Sequence, residues 1–153
     1  MKNIIFIPVK FLLFFTVIVM FSSLFWLKDI VFLDENDSYE QIYFEKGNWD
    51  EITQKARDLK RNLFVFVMDS ANDDSQRMMK SVFTEMNVSR FYNENYINVL
   101  IPANSKKGKE LVHQYRILQF PHCIYMHYNG KTKHQLFGYQ NPAILLKIGE
   151  KYK

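Results

Sequence analysis

Cysteine is almost missing. The 153-residue chain has one, Cys123, and a lone cysteine cannot close an internal disulfide. Its plain reading is a buried free thiol. No cysteine stands near the N-terminus for lipid attachment, and no small-x-small cleavage site follows the apolar N-terminal stretch. There is no internal repeat and no low-complexity tract. A basic stripe interleaved with aromatics, the footprint of a nucleic-acid binder, is absent too. The formal net charge is +4, and it falls to +2 once Lys2, Lys10, Lys28 and Asp29, which flank or interrupt the apolar segment, are set aside. The one basic cluster, Lys106, Lys107 and Lys109, lies beside Gly108 and reads as a solvated helix start. No nucleic-acid partner is expected.

Metal ligands are also sparse. Asp69, Asp73 and Asp74 lack the regular spacing, internal glycine and late glutamate of a calcium loop. Cys123, His127 and His134 share parity across an expected hairpin. With a two-residue turn, His127 opposes Thr132 and His134 is its diagonal neighbour. A diagonal pair plus a cysteine further along is poor zinc geometry. No metal and no cofactor is expected.

The N-terminus carries an uncharged run of 17 residues that opens on Phe11 and closes on Leu27. That is short for a membrane span and long for a signal-peptide core. Trp26 sits where an interfacial aromatic would sit, and Lys2 and Lys10 precede the run, so the positive-inside rule keeps the N-terminus cytoplasmic. The expectation is a signal anchor over residues 1–33, a polar linker over 34–43 and one domain over 44–153. The domain would then be membrane-anchored on the extracytoplasmic side, periplasmic or lumenal. The alternatives are secretion after signal cleavage and a buried core helix. Two triplets, Asn36-Asp37-Ser38 and Asn87-Val88-Ser89, match the glycosylation acceptor pattern, which matters only in a eukaryote.

Beyond the linker, Asn48 with Glu51 three residues on signals a helix N-terminus. Trp49, Ile52, Ala56 and Leu59 fall on one helical face. Residues 63–68 (Leu-Phe-Val-Phe-Val-Met) read as a strand buried on both faces. Polar residues fill 69–75. Helix resumes at Met78, Met79, Val82 and Phe83, with a short further piece over about 88–92. Residues 96–101 are the next strand and 106–115 the next helix, with Leu111 and Tyr115 on one face. A strand over 123–128, the turn signal Asn129-Gly130 and a returning strand over 132–137 follow. Asn141 caps and Pro142 opens a last helix, whose apolar face is Ile144, Leu145, Ile148 and Tyr152. Helices between the early strands imply parallel pairing, and the turn makes the last pair antiparallel. The class is α/β, a mixed central sheet with helices on both faces, plus the N-terminal hydrophobic helix.

The residues carry a resemblance. Trp49-Asp50-Glu51-Ile52 through Asn62-Leu63-Phe64-Val65-Phe66 resembles the opening helix and central strand of the thioredoxin-like superfamily, relatives of disulfide reductases and isomerases. Ser75-Gln76-Arg77-Met78 through Val82-Phe83 resembles their first long helix. Phe91-Tyr92-Asn93-Glu94-Asn95-Tyr96-Ile97-Asn98-Val99 is similar to the segment that follows. Tyr115-Arg116-Ile117 and Phe120-Pro121 are similar to the approach to the family's cis-proline, and Gly130 and Gly138-Tyr139 to the terminal hairpin and its exit. The resemblance spans about residues 44–151. It implies a thioredoxin-like fold and a cis bond between Phe120 and Pro121 that faces residues 72–75.

The departures are as informative. Asn72-Asp73-Asp74-Ser75 stands where the family has Cys-x-x-Cys, Ala71 where it has Trp, and Phe66 where classical thioredoxins bury an acid. Phe120 replaces a small or hydroxylic residue before the proline. The family's chemistry needs a thiolate whose pKa is lowered at a helix N-terminus and a second thiol to resolve the mixed disulfide. Asn72 cannot ionise, and Ser75 stays a protonated alcohol near neutral pH. The expected function is a redox-inactive domain, not an enzyme, that binds an unknown protein or peptide or serves as a scaffold. Its candidate groove is formed by Asn72, Asp73, Asp74, Ser75, Phe120 and Pro121. Residues 72–75 also suit plain helix capping. The alternative is an atypical thiol-redox enzyme that uses Cys123 alone.

Overall fold

The protein is seen as a computed structural model that describes residues 40–153. The expected anchor and most of the linker lie outside the described residues. Among the described residues, no helix is long and apolar enough to cross a membrane.

Helix α1 (Trp49–Leu59) starts where Asn48 and Glu51 place it. Asn48 Oδ1 accepts from Glu51 N–H at 3.0 Å, and Asn48 N–H donates to Glu51 Oε2 at 3.1 Å, so two orphan donors are satisfied reciprocally. Ile52 and Ala56 are buried, but Leu59 is 53% exposed. Lys60 turns left-handed straight after it, so the helix stops before Leu59 reaches the sheet. Strand β1 (Leu63–Met68) follows. Next come a short α2 (Asp73–Arg77), continued by a π-helical turn (Met78–Val82), then α3 (Met86–Asn95). The piece expected over 88–92 is thus a full ten-residue helix. Strand β2 (Ile97–Pro102), α4 (Lys106–Tyr115), β3 (His122–Met126), β4 (Thr132–Phe137) and α5 (Pro142–Tyr152) complete the described chain. Asn141 Oδ1 caps α5 with Pro142 in its first turn, while Ile144 on the expected apolar face is 41% exposed.

The sheet is mixed and ordered β2-β1-β3-β4. Strands β1 and β2 are parallel, β1 and β3 antiparallel, and β3 and β4 antiparallel. The sequence reading assigned parallel pairing to strands separated by helices. That holds for β1 and β2 and fails for β3. His122 at the start of β3 lies opposite Val67 near the end of β1, so α4 and residues 116–121 return the chain to the end where β1 and β2 finish. Side-chain alternation then builds two cores. Phe64, Phe66, Cys123 and Tyr125 face Met78, Val82, Phe83, Tyr92 and Leu145, beneath α2, α3 and α5. Leu63, Val65, Val67, Ile124 and Met126 face Ile52, Ala56 and Leu111, beneath α1 and α4.

The hairpin departs from the two-residue turn expected. Met126, not His127, pairs with Thr132, and a register shift places His134 opposite Tyr125. The turn itself is His127 to Gly130, closed by Gly130 N–H to His127 O at 2.8 Å, with Gly130 at φ +90. Glycine takes that left-handed conformation without steric cost. His134 stacks on Tyr152 (4.6 Å) and His127 meets Tyr128 in a tilted pair (3.9 Å), so the two imidazoles have separate aromatic partners.

Residues 41–46, which the sequence reading split between linker and domain, run along the outer edge of β2. Ile42 N–H donates to Phe83 O (2.8 Å) and Glu45 N–H to Asn98 O (2.9 Å). Asn93 Oδ1 accepts from Tyr43 N–H, and Asn98 Nδ2 donates to Tyr43 O. Ile42 itself is buried in the first core. An edge that would otherwise show unpaired donors and acceptors is thus partly covered by the chain.

Candidate functional site

One end of the sheet gathers the segments singled out by the sequence. Strand β1 ends there at Met68, β2 at Pro102, and β4 at Phe137 opposite His122. The start of α2 and the approach to β3 therefore share that end. Contacts tie them together. Gly138 N–H donates to Pro121 O (2.8 Å), Gln140 N–H to Met78 Sδ (3.4 Å), and the Arg77 guanidinium lies 4.2 Å from the Tyr139 ring centre.

At the start of α2, Asn72 is a helix cap. Its Oδ1 accepts from Ser75 N–H at 2.9 Å. Asp69 braces the loop, with Oδ1 accepting from Ala71 N–H at 3.0 Å and its carbonyl from Asn72 N–H at 3.1 Å. Asp73 and Asp74 occupy the first turn, where carboxylates complement the helix dipole. Asp73 is exposed and Asp74 half-buried. Ser75 is fully buried, and its Oγ has no hydrogen-bond partner among the described residues. Across the same end, the bond between Phe120 and Pro121 is cis, as the resemblance implied. Pro121 is buried. Phe120 is half-buried and packs on the core beneath α1 and α4.

These features have counterparts among known proteins. The sequence profile of the thioredoxin-like domain matches residues 49–153. The chain belongs to the thioredoxin-like domain family. Solved structures with the same fold include a candidate disulphide-isomerase from Bacteroides thetaiotaomicron, with a TM-score of 0.66 and 22% identity over 74% of this chain and 97% of the other. A thioredoxin from Thermus thermophilus gives 0.63 and 19% identity over 73% and 86%. The DsbH oxidoreductase gives 0.61 and 15% over 79% and 94%. At such identities the likeness is one of fold. No curated protein matches the chain.

Within this thioredoxin-like domain, the only cysteine lies inside a strand and not in the first turn of a helix. Cys123 lies in the central part of the sheet, opposite Phe66 and Leu136, and is fully buried. Burial pushes its thiol pKa well above the ordinary range, because the thiolate would lose its hydration. Phe66 is wholly core and meets the Phe83 ring edge-on at 4.8 Å, so the position of the family's buried acid holds an apolar side chain. Among the described residues, no three His, Cys, Asp or Glu side chains converge as a metal site would require.

Sequence reasoning missed a groove at this end. It is about 300 Å³ and is lined by Arg116, Leu118, Gln119, His122 and Phe137. Leu118 is 96% exposed and Phe137 64%. The floor is His122, whose Nε2 meets Gln135 Oε1 at 2.9 Å and whose buried Nδ1 has no partner among the described residues. With Gln135 accepting, Nε2 carries the proton and Nδ1 presents a lone pair. Burial lowers the His122 pKa, opposed by the Gln135 contact. The signal in the sequence was Leu118 between Ile117 and Gln119, a large apolar residue in a connecting segment.

Proposed function

We propose that this domain binds an extended segment of another protein and carries out no thiol–disulfide exchange. The supporting observation is the pairing of a lost nucleophile with a retained surface. Asn72 and Ser75 stand where two thiols would act, while Phe120, the cis Pro121, Leu118 and Phe137 leave an apolar, partly open end to the sheet. Main-chain hydrogen bonds along such an end hold an extended peptide without any cysteine. A lone-thiol mechanism through Cys123 is disfavoured, since a thiol held protonated and sealed from solvent is a poor nucleophile. We further propose that residues 11–27, Phe11 through Leu27, anchor the protein in a membrane with this domain on the extracytoplasmic side.

Three experiments test this. The full chain, purified in mild detergent, should reduce insulin disulfides no faster than buffer. Turnover that disappears in Cys123→Ser would overturn the non-catalytic reading. A photo-crosslinking residue placed at position 118 in the full chain should capture a defined protein in its native cells, and capture should be lost when Phe137→Ser is added. Capture that ignores Phe137→Ser would remove the binding reading. Added protease should reach the domain in spheroplasts while the N-terminus stays protected, and the opposite pattern would reverse the proposed orientation.

A further inference from the structure

The groove at Leu118 is built from a stretch of sequence without a single carboxylate. From Leu111 to Gly149 the sequence has no Asp or Glu, yet Arg116, Lys131, Lys133 and Lys147 all fall there. Those residues form the end of α4, the groove rim, the β3–β4 hairpin and most of α5. Lys133 is engaged by the carbonyls of Tyr152 (2.8 Å) and Lys153 (3.4 Å). The side chains of Arg116 and Lys131 have no hydrogen-bonding or ion-pair partner among the described residues. Arg116 is held at the end of α4 in a left-handed conformation (φ 50), with its side chain lining the groove.

We propose that the groove and the adjoining edge of β4 take an extended, acidic segment of a partner protein, with an apolar side chain between Leu118 and Phe137 and carboxylates on Arg116 and Lys131. The inference rests on the peptide-binding reading and adds the chemistry of the peptide. Among the described residues, strand β4 is the last in the sheet and pairs only with β3. Its outer edge therefore offers backbone donors and acceptors to an added strand. At about 3.3 Å per residue its six residues span roughly 20 Å. Phe137 and the groove stand at one end of that span and Lys131 just beyond the other. A segment along it meets a free cation at each end and an apolar slot at one of them. The groove floor adds no charge at pH 7, because burial lowers the His122 pKa below its ordinary 6.5, so Arg116 is the one charged residue among the described residues that line the groove. A membrane surface would suit the charge but would leave the strand edge unpaired.

The test uses the full chain in phosphatidylcholine nanodiscs and three fluorescent octapeptides read by anisotropy. In each, apolar residues alternate with glutamate, glutamine or lysine. The glutamate peptide should bind about tenfold more tightly than the lysine peptide. Leu118→Ser and Arg116→Gln should each weaken it by about fivefold, while Lys109→Gln, on the exposed side of α4 away from the groove lining, should leave it unchanged. Equal binding of glutamate and lysine peptides, or indifference to both groove variants, would overturn the proposal. Equal binding of the glutamine peptide, lost in Leu118→Ser, would overturn the acidic chemistry and leave the peptide-binding reading standing. Absence of binding by all three at about 1 mM overturns this proposal, and the reading beneath it is then judged by the crosslinking at position 118. If phosphatidylglycerol in the disc abolishes peptide binding, the groove belongs to the membrane surface and the proposal fails.

Discussion

Three single residues carry distinct chemical consequences. Cys123 is enclosed between Phe66 and Leu136 with its pKa raised by burial. Ellman's reagent should therefore label almost none of it in the native protein and all of it in guanidinium, and stoichiometric native labelling would show that the enclosure opens readily. His122 behaves in the opposite sense. Its folded pKa lies below the ordinary 6.5, so below that pH the unfolded chain binds a proton that the folded chain resists. The resulting stability is fully present above pH 6.5 and drains away as pH falls toward the depressed folded value. The melting temperature should drop between pH 7 and pH 5 more in the parent than in His122→Gln, and parallel profiles would exclude His122 as the source. Asn72 caps α2, so Asn72→Ala should cost about 1 kcal/mol in urea unfolding.

At the scale of elements, α5 is fastened to α3 by buried tyrosines. Tyr92 Oη donates to Leu145 O at 2.9 Å, which leaves Tyr125 Oη to donate to Tyr92 at 2.6 Å, and Tyr96 Oη donates to Gly149 O at 2.7 Å. Burial raises all three phenol pKa values, so each hydroxyl stays protonated and available as a donor. Gly149 permits this closeness. A Cβ there would lie 2.6 Å from Phe91 Cε1 and 3.0 Å from Tyr92 Oη. Gly149→Ala should thus destabilise by about 1–3 kcal/mol, outweighing a helix-propensity gain of about 1 kcal/mol. A stabilised variant would mean that α5 can shift outward freely. The local signals behind these elements were legible: the capping box of Asn48 and Glu51, the continuous apolar run of β1, and the Asn141-Pro142 start of α5 each depend on neighbours in sequence. The π-helical turn, closed by Phe83 N–H to Met78 O at 2.9 Å, was not legible, because burying Met78, Val82 and Phe83 together is a requirement of the sheet. The β4 register was missed for a similar reason. Asn129-Gly130 announces a turn but does not state how many residues the turn takes.

For the domain as a whole, the thioredoxin-like fold is present while residues 72–75 carry no cysteine. Asn72 and Ser75 are one helical turn apart, with Ser75 buried and Asn72 half-exposed. That spacing, about 5–6 Å between Cα atoms, suits a disulfide. The double variant Asn72→Cys, Ser75→Cys should form one, seen as two alkylation sites gained only after reduction, at a cost of about 1 kcal/mol for the lost cap. Two thiols that alkylate without reduction would mean that the backbone here has drifted from redox geometry. The candidate site was half visible in the sequence. Residues 72–75, Phe120 and Pro121 were placed by resemblance, and the structure puts them at one end of the sheet. The groove of Arg116, Leu118 and Phe137 was not visible, since it arises only when β4 returns beside β3 and leaves Phe137 uncovered by α4.

The strip of chain along β2 gives the domain a mechanical character. A pull applied at residue 40 does not reach α1 directly. It is borne first by Ile42 on Phe83 and Tyr43 on Asn93, then by Glu45 on Asn98 and Lys55. Under force those links are expected to release in chain order, before the ladder between β1 and β2. Tension on that side would bare the β2 edge at the far side of the sheet from the groove, and leave β4 and Leu118 in place.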